Sequence, residues 1–216
     1  MPQIAIIDDN ADQSGTVKGY TELVLDEIGS DLSVITSFPL RDINSYSEYI
    51  ADNDVAVIII DEKLNDQSFD ENGPVDYKGN QLVTVLRENQ KELPIFTITA
   101  IADDPDLLEK LSDYDYIIPR SDFYKSSERY VPIIARSAQR YLEQNRNELS
   151  EFDSLTRHIA SGEYTDEDVN RLSALKVKLE LPFTGFDDRK EWLEKYDQQI
   201  EKLKALRELL KSKLGK

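Results

Sequence analysis

The feature that most constrains the fold is an uninterrupted apolar run, Val55–Ile60, that ends at Asp61. The run consists mainly of β-branched residues, and no polar residue alternates with them. A strand that is apolar on both faces is typical of the centre of a parallel sheet that is covered on both sides. Parallel strands need crossover connections, so helices should alternate with strands around this run.

Residues 1–125 show this alternation. Short apolar runs predict strands, and apolar residues at helical spacing predict helices between them. The predicted strands are Ile4–Ile7, Ser33–Phe38, Val55–Ile60, Ile95–Ala100 and Tyr116–Ile118. The predicted helices are 13–29 (with Val17, Tyr20, Leu23 and Val24 near helical spacing), 43–52, Gly79–Glu92 and Asp104–Leu111. Repeated units of this kind predict an α/β, flavodoxin-like fold with a doubly wound five-stranded parallel sheet.

Strand patterns stop near residue 130, and an all-helical C-terminal region is expected after it. Tyr130–Ser161 predicts a long helix, which Pro132 can enter only in its first turn. Thr165 predicts the start of a short helix, with Asp168 as its partner in an imperfect capping box.

A last helix is expected from Asp187 or Asp188 to about Leu214. Its apolar residues recur about every 3.5 residues, the spacing of a coiled-coil or helical-hairpin seam. We therefore predict a first domain at 1–142 and a helical extension at 143–216. The extension is expected to form a homodimer or bind another protein; the alternative is that it packs on the first domain and completes its core.

Charge and composition exclude several classes of function. The sequence has 43 acidic and 26 basic residues and a net charge of −17, which repels nucleic acid and anionic lipid. We therefore expect neither nucleic acid nor membrane as a partner. No run approaches the roughly 18 apolar residues of a membrane span, and the N-terminus lacks the pattern of a signal peptide. A cytoplasmic location is the expectation. Cysteine is absent, which excludes disulfides and thiolate metal sites.

Three aspartates follow predicted strands at the edge where parallel sheets bind ligands. Asp8 and Asp9 end the first strand, and Asp61 ends the third. Carboxylates that lie together repel one another unless a cation joins them, and Mg²⁺ is the natural partner for such oxygen ligands. Acidic residues at strand ends can also be solvated loop residues, but the match between two strand ends favours a metal site.

Four segments resemble, in order, those of response-regulator receiver domains in two-component signalling. They are Ile4–Asn10, Val55–Asp61, Pro94–Ala100 and Asp115–Ile118. The resemblance covers a little over half of the chain. It implies a phosphorelay protein, with a histidine kinase or phosphotransfer protein as its partner. The chain would then be a phosphoacceptor with at most weak self-dephosphorylation and not an enzyme.

The resemblance also implies roles for individual residues. Asp61 would accept the phosphoryl group, with Mg²⁺ as the cofactor. Asp9 and Asp61 would bind the metal directly and Asp8 would help. The backbone carbonyl of Lys63 would be a further ligand.

On the phosphate side, Thr99 would hydrogen-bond the phosphoryl oxygens and Ala100 would leave them room. Tyr116 would be the switch aromatic that turns inward when Thr99 moves. The acyl phosphate would thereby bias a pre-existing two-state equilibrium.

One position departs from the family pattern. Receivers normally follow the fifth strand with Lys-Pro, and the lysine pairs with the phosphoryl group. Here Pro119 stands at the lysine position and Arg120 follows it. Either Arg120 substitutes for the lysine, or Lys125 reaches back, or the switch no longer works in the usual way. The alternative function is a pseudo-receiver adaptor that binds partners without phosphorylation.

The segment between Asp61 and the third predicted helix, residues 62–78, is longer than the family normally has. Its acidic residues could cover the pocket or hold a second cation: Asp66, Asp70, Glu71 and Asp76. We expect a solvated surface insertion.

Overall fold

The structure is a computed structural model that describes residues 1–68, 70–161 and 164–179. Its compact units are Met1–Glu143 and Gln144–Lys216. That residues 1–142 and 143–216 form independent domains remains a prediction. The predicted last helix, from Asp187 or Asp188, lies outside the described residues. Within the described part, no helix is both long and apolar enough to cross a membrane.

The first unit is built on a five-stranded parallel sheet with the order β2-β1-β3-β4-β5. The strands are β1 (Gln3–Ile7), β2 (Ser33–Ser37), β3 (Val55–Ile60), β4 (Ile95–Thr99) and β5 (Tyr116–Pro119). This order is the flavodoxin-like one that receiver domains share. The predicted fold class is therefore confirmed.

The central strand β3 sets the position of the candidate site. All six of its residues are buried, and it pairs with β1 on one side and β4 on the other. Ile7 pairs with Ile60, and the next backbone N–H, that of Asp61, donates to the carbonyl of Ile7 at 3.0 Å. The two strands therefore end level with each other, and the acidic residues that follow them share one edge of the sheet.

Seven helices connect or follow the strands in the described part of the chain. They are α1 (Ala11–Glu27), α2 (Tyr46–Asp52), α3 (Gly79–Asn89), α4 (Pro105–Leu108), α5 (Arg120–Lys125), α6 (Ser127–Ser161) and α7 (Asp166–Leu179). The predicted helix Asp104–Leu111 is shorter than expected: α4 has four residues, and a 3₁₀ turn follows at Leu111–Asp113.

α1 buries a different face from the one that its apolar spacing indicated. Val17 and Val24 are buried, but Tyr20 and Leu23 are 38% and 59% exposed. Thr21 is fully buried instead, and its hydroxyl donates to the carbonyl of Val17 at 2.8 Å. A threonine that is satisfied by its own helix can occupy a core position, which a count of apolar residues does not detect.

α6 begins at Ser127, so Pro132 lies inside it and not in its first turn as predicted. Proline lacks the N–H for one helical hydrogen bond, and in a helix interior it costs about 3 kcal/mol. Burial offsets this loss, because Val131, Ile134 and Ala138 of the same helix are completely buried in the core. This half of α6 completes the core of the first unit.

Within the second unit, the C-terminal part of α6 pairs with α7. Phe152 and Leu175 are buried, with Leu155 and Leu172 against them. Across the pair, Nε and Nη2 of Arg171 each donate to a carboxylate oxygen of Glu151 at 2.7 Å.

The predicted capping box at the start of α7 is confirmed. The N–H and the hydroxyl of Thr165 both donate to Asp168 Oδ2 at 2.8 Å. The backbone N–H of Asp168 donates to Thr165 Oγ1 at 3.3 Å.

We predict that Gly79→Ala destabilises the first unit. The N–H of Gly79 donates to the carbonyl of Glu62 at 2.9 Å, and an added Cβ would lie 2.9 Å from Glu62 Cα and even closer to the carbonyl oxygen of Asp61. Backbone atoms cannot yield as a side chain can, so we expect the free energy of unfolding in urea to fall by about 1–3 kcal/mol. Gly15→Ala in α1, with open space around its Cβ, is the control and should not destabilise.

Candidate metal centre

The structure brings Asp8, Asp9 and Asp61 together at the edge of the sheet. Each offers a carboxylate oxygen within 4.8 Å of the others. The three residues are buried, with exposures of 3%, 5% and 7%. The adjacent ends of β1 and β3 produce this cluster, as the sequence indicated. The roles of these residues remain predictions.

Two of the carboxylates are held by neighbouring donors. Asp8 Oδ1 accepts a hydrogen bond from the N–H of Asn10 at 2.8 Å, and Asp8 Oδ2 lies 3.4 Å from Nη2 of Arg120. Asp61 Oδ1 accepts from the N–H of Glu62 at 2.9 Å and lies 3.0 Å from the same Nη2. No donor among the described residues reaches Asp61 Oδ2.

Asp9 is held from the segment that follows β3. Its Oδ2 accepts hydrogen bonds from the backbone N–H groups of Asp66 at 2.9 Å and Gln67 at 2.6 Å. In the part of the chain that the structure describes, Asp9 Oδ1 has no donor. Asp9 and Asp61 therefore each present one unengaged carboxylate oxygen.

Arg120 brings a positive charge into the cluster. Pro119 is the last residue of β5 and pairs with Thr99, so Arg120 opens α5 directly at the edge of the sheet. Its side chain is 11% exposed, and Nη2 also donates to the carbonyl of Ile98 at 3.4 Å. Of the outcomes left open by the sequence, the structure places Arg120 on the carboxylates, whereas Lys125 is exposed at the end of α5.

Arg120 does not neutralise the cluster. Burial raises the pKa of Asp8 to about 7, and the charges of Asp61 and Asp9 add to this increase; the N–H of Asn10 and the guanidinium of Arg120 oppose it. Burial also raises the pKa of Asp9, against the opposing effect of the two backbone N–H groups that it accepts from. A hard divalent cation with oxygen ligands, such as Mg²⁺, fits this donor set.

A cavity of about 220 Å³ lies beside the carboxylates. Its lining includes Asp9, Lys63, Asp61, Thr99, Ala100 and Arg120. Thr99 is buried, and its Oγ1 accepts from the N–H of Ile101 at 3.4 Å. The lining of the cavity thus combines two carboxylates with a hydroxyl and a guanidinium.

Tyr116 is not among the residues that line this cavity. It lies at the start of β5, is 41% exposed, and meets the ring of Tyr130 edge-on at a centroid distance of 6.1 Å. Its ring is therefore outward in this structure.

Two features of the site were missed in the sequence. The expectation of a solvated insertion at residues 62–78 holds for its four acidic residues, which are all exposed, but not for the whole segment. Leu64, Val75 and Tyr77 are buried there, and the N–H groups of Asp66 and Gln67 donate to Asp9. These three apolar residues of the segment were the sequence signal from which its packing could have been predicted.

Glu62 is the other missed feature. It is only 2% exposed, and burial raises the pKa of its carboxyl to about 7. The backbone N–H of Asn80 and the charge of Lys78 oppose that increase.

The comparisons with known proteins give matches among solved structures. No protein-family model and no curated protein matches the sequence. The non-phosphorylated HemR receiver domain from Leptospira biflexa is 19% identical, with a TM-score of 0.42 over 61% of this chain and 94% of that one. The NtrX receiver domain from Brucella abortus is 19% identical, with a TM-score of 0.42 over 60% and 98%.

A third similar structure is the response regulator TrrA from Thermotoga maritima in complex with Mg(2+)-BeF. It is 17% identical, with a TM-score of 0.37 over 60% of this chain and 96% of that one. The fold assignment rests on the strand order and register of the sheet.

We predict that Glu62→Gln reduces the pH dependence of stability. The folded pKa of about 7 lies above the ordinary 4.5, so folding favours the protonated form. The stability that this group contributes is present below about pH 4.5 and is lost as the pH rises through 7. In EDTA, the variant should be more stable than wild type at pH 8 by about 1–3 kcal/mol and nearly equal at pH 5.

Urea unfolding at the two pH values measures this difference. The control is Glu88→Gln, the same chemical change at an exposed position of α3. A stability difference for Glu62→Gln that is the same at pH 5 and pH 8 would contradict the prediction.

Proposed function

We propose that this chain is a response-regulator-like signalling protein that accepts phosphate on Asp61 with Mg²⁺ as its cofactor. The observation that carries the proposal is the cavity that Asp61 lines together with Thr99 and Arg120, beside the buried carboxylate cluster. The carboxylates suit a divalent cation, and the hydroxyl and the guanidinium suit phosphoryl oxygens.

The unengaged oxygens indicate how the cation would be held. Asp9 Oδ1 and Asp61 Oδ2 would bind it directly, since no donor in the described part of the chain occupies them. Asp8 would help, and the backbone carbonyl of Lys63 would be a further ligand. When bound, Mg²⁺ supplies charge neutralisation for the transferring phosphoryl group.

The protein residues would do the rest of the chemistry. A carboxylate oxygen of Asp61 forms the new bond to phosphorus, while the bond from phosphorus to the donor breaks and the donor keeps that electron pair. The hydroxyl of Thr99 would donate to a phosphoryl oxygen. Arg120, already 3.0 Å from Asp61 Oδ1, would supply the positive charge for which receivers normally use a lysine.

Signalling would then proceed through protein contacts. The donor would be a histidine kinase or a phosphotransfer protein. Phosphorylation would favour an inward position of Tyr116, which is outward and exposed in this structure. The C-terminal helices would contact a protein partner or a second copy of the chain.

Intact-mass analysis tests the proposal. After incubation with Mg²⁺ and acetyl phosphate, wild type should gain the mass of one phosphoryl group, and Asp61→Asn should gain none. Asp26→Asn, which removes an exposed carboxylate from α1, should label like wild type. An unlabelled wild-type protein, under conditions that label a typical receiver, would refute phosphoryl acceptance.

A pseudo-receiver adaptor is the second candidate, and one observation favours it. The guanidinium of Arg120 is paired with Asp61 itself, so the acceptor carboxylate already has a counter-ion. In such an adaptor, the pair would be a structural element of the binding surface.

Arg120 variants separate the two functions. If Asp61 is a phosphoacceptor, Arg120→Ala should slow labelling by about 10- to 100-fold, because a hydrogen bond to a charged group contributes about 1.5–3 kcal/mol. Arg120→Lys should retain most of the rate. Labelling time courses measure both, and equal rates for all three proteins would contradict this role of Arg120.

A further inference from the structure

The segment between β3 and α3 is attached at its C-terminal end to the loop after β2. The hydroxyl of Tyr77 donates to the carbonyl of Leu40 at 2.5 Å and lies 3.3 Å from the hydroxyl of Tyr46. Val75 is buried beside this attachment. The segment is therefore a packed part of the first unit.

Arg41 makes a second attachment from the same loop. Its Nη1 donates to the carbonyl of Pro74 at 3.0 Å, its Nη2 donates to the carbonyl of Gly73 at 2.5 Å, and the guanidinium pairs with Asp70. Gly73 has a φ of +79°, a left-handed conformation that glycine adopts without strain. The side chain of Arg41 thus contacts three residues of one turn: Asp70, Gly73 and Pro74.

The other end of this segment reaches the metal centre. We call residues 63–68 and 70–74 the cap. Its backbone N–H groups at Asp66 and Gln67 converge on one oxygen, Asp9 Oδ2. Within the cap, Nζ of Lys63 lies 3.1 Å from a carboxylate oxygen of Asp66.

Both hydrogen bonds act on the same carboxylate oxygen. Two N–H donors on Oδ2 restrict the rotation of the Asp9 carboxylate and leave its Oδ1 without a donor among the described residues. Hydrogen bonds that orient a ligating carboxylate typically change metal affinity by about 10- to 100-fold when they are lost.

We propose that Arg41 is a positioning residue of the metal centre: it holds the cap, and the cap orients Asp9 for a divalent cation. The inference rests on the proposed function, because it assumes that Asp9 is a metal ligand. Arg41 lies on the loop after β2, outside the cluster, and contacts the cap at Asp70, Gly73 and Pro74.

The first test is Mg²⁺ affinity, measured by isothermal titration calorimetry. Arg41→Ala should weaken binding by about tenfold. The Mg²⁺ affinity of Arg41→Lys should lie between those of wild type and Arg41→Ala. One ammonium can pair with Asp70 but does not reproduce the planar fork that also binds two carbonyls. Asp70→Asn, which leaves the arginine in place, should weaken binding less than Arg41→Ala.

Arg87→Ala is the matched control. Arg87 also holds loops through backbone carbonyls, those of Asp113 at 2.7 Å and Leu93 at 2.6 Å, and it pairs with Asp115. This change should lower the free energy of unfolding and leave Mg²⁺ affinity unchanged. A loss of affinity with Arg87→Ala equal to that with Arg41→Ala would mean that general stability is the cause and would overturn the proposal.

Amide hydrogen exchange is the second readout. The N–H groups of Asp66 and Gln67 should be protected in wild type, more protected with Mg²⁺, and exposed to exchange in Arg41→Ala. Faster exchange with Mg²⁺, or tighter Mg²⁺ binding by Arg41→Ala, would show that the cap competes with the cation and would overturn the proposal.

The outcomes separate this inference from the proposed function. Weaker Mg²⁺ binding by Arg41→Ala, together with an unlabelled wild type, supports the positioning role and refutes phosphoryl acceptance. Unchanged Mg²⁺ binding by Arg41→Ala, together with a labelled wild type, refutes only the positioning role. A wild type that binds no Mg²⁺ refutes both.

Discussion

The candidate site depends on the parallel pairing of β1 with β3. Ile7 pairs with Ile60, and the N–H of Asp61 continues this ladder to the carbonyl of Ile7. Side chains alternate between the faces of a strand, so a slip of one residue would turn Asp61 to the opposite face. The apolar run of β3 is buried throughout and ends at Ile60, so the charged Asp61 marks the end of the buried part of the strand. Ordinary core packing therefore determines where three charged groups meet.

Packing brings the carboxylates together but does not neutralise them. Backbone N–H groups and one guanidinium contact all three, yet burial still raises the pKa values of Asp8 and Asp9. A buried cluster of like charges is unfavourable alone and favourable once a divalent cation joins it. The repulsion between the carboxylates lowers the stability of the folded state, and its relief would give the cluster affinity for a cation.

The fold and the acidic cluster could be predicted from the sequence because both depend on short-range patterns. Val55–Ile60 identifies a central strand by itself, and Asp61 is its next residue. The position of Arg120 could not be derived in this way, since it depends on where β5 ends and on how far a long side chain reaches. The attachment of residues 70–74 to the loop after β2 could not be derived either, because it depends on Arg41, which is distant in sequence. Contacts between remote segments leave no periodic pattern.

The division of the carboxylate oxygens is the most specific property of the site. Four of the six are held by donors of the chain: both oxygens of Asp8, Oδ2 of Asp9 and Oδ1 of Asp61. Asp8 differs from the other two aspartates in that each of its oxygens has a donor. Among the described residues, the two oxygens without a donor belong to Asp9 and Asp61. Arg120 contacts Asp61, and the backbone of Asp66 and Gln67 contacts Asp9, so two different segments together leave one oxygen of each carboxylate without a donor among the described residues.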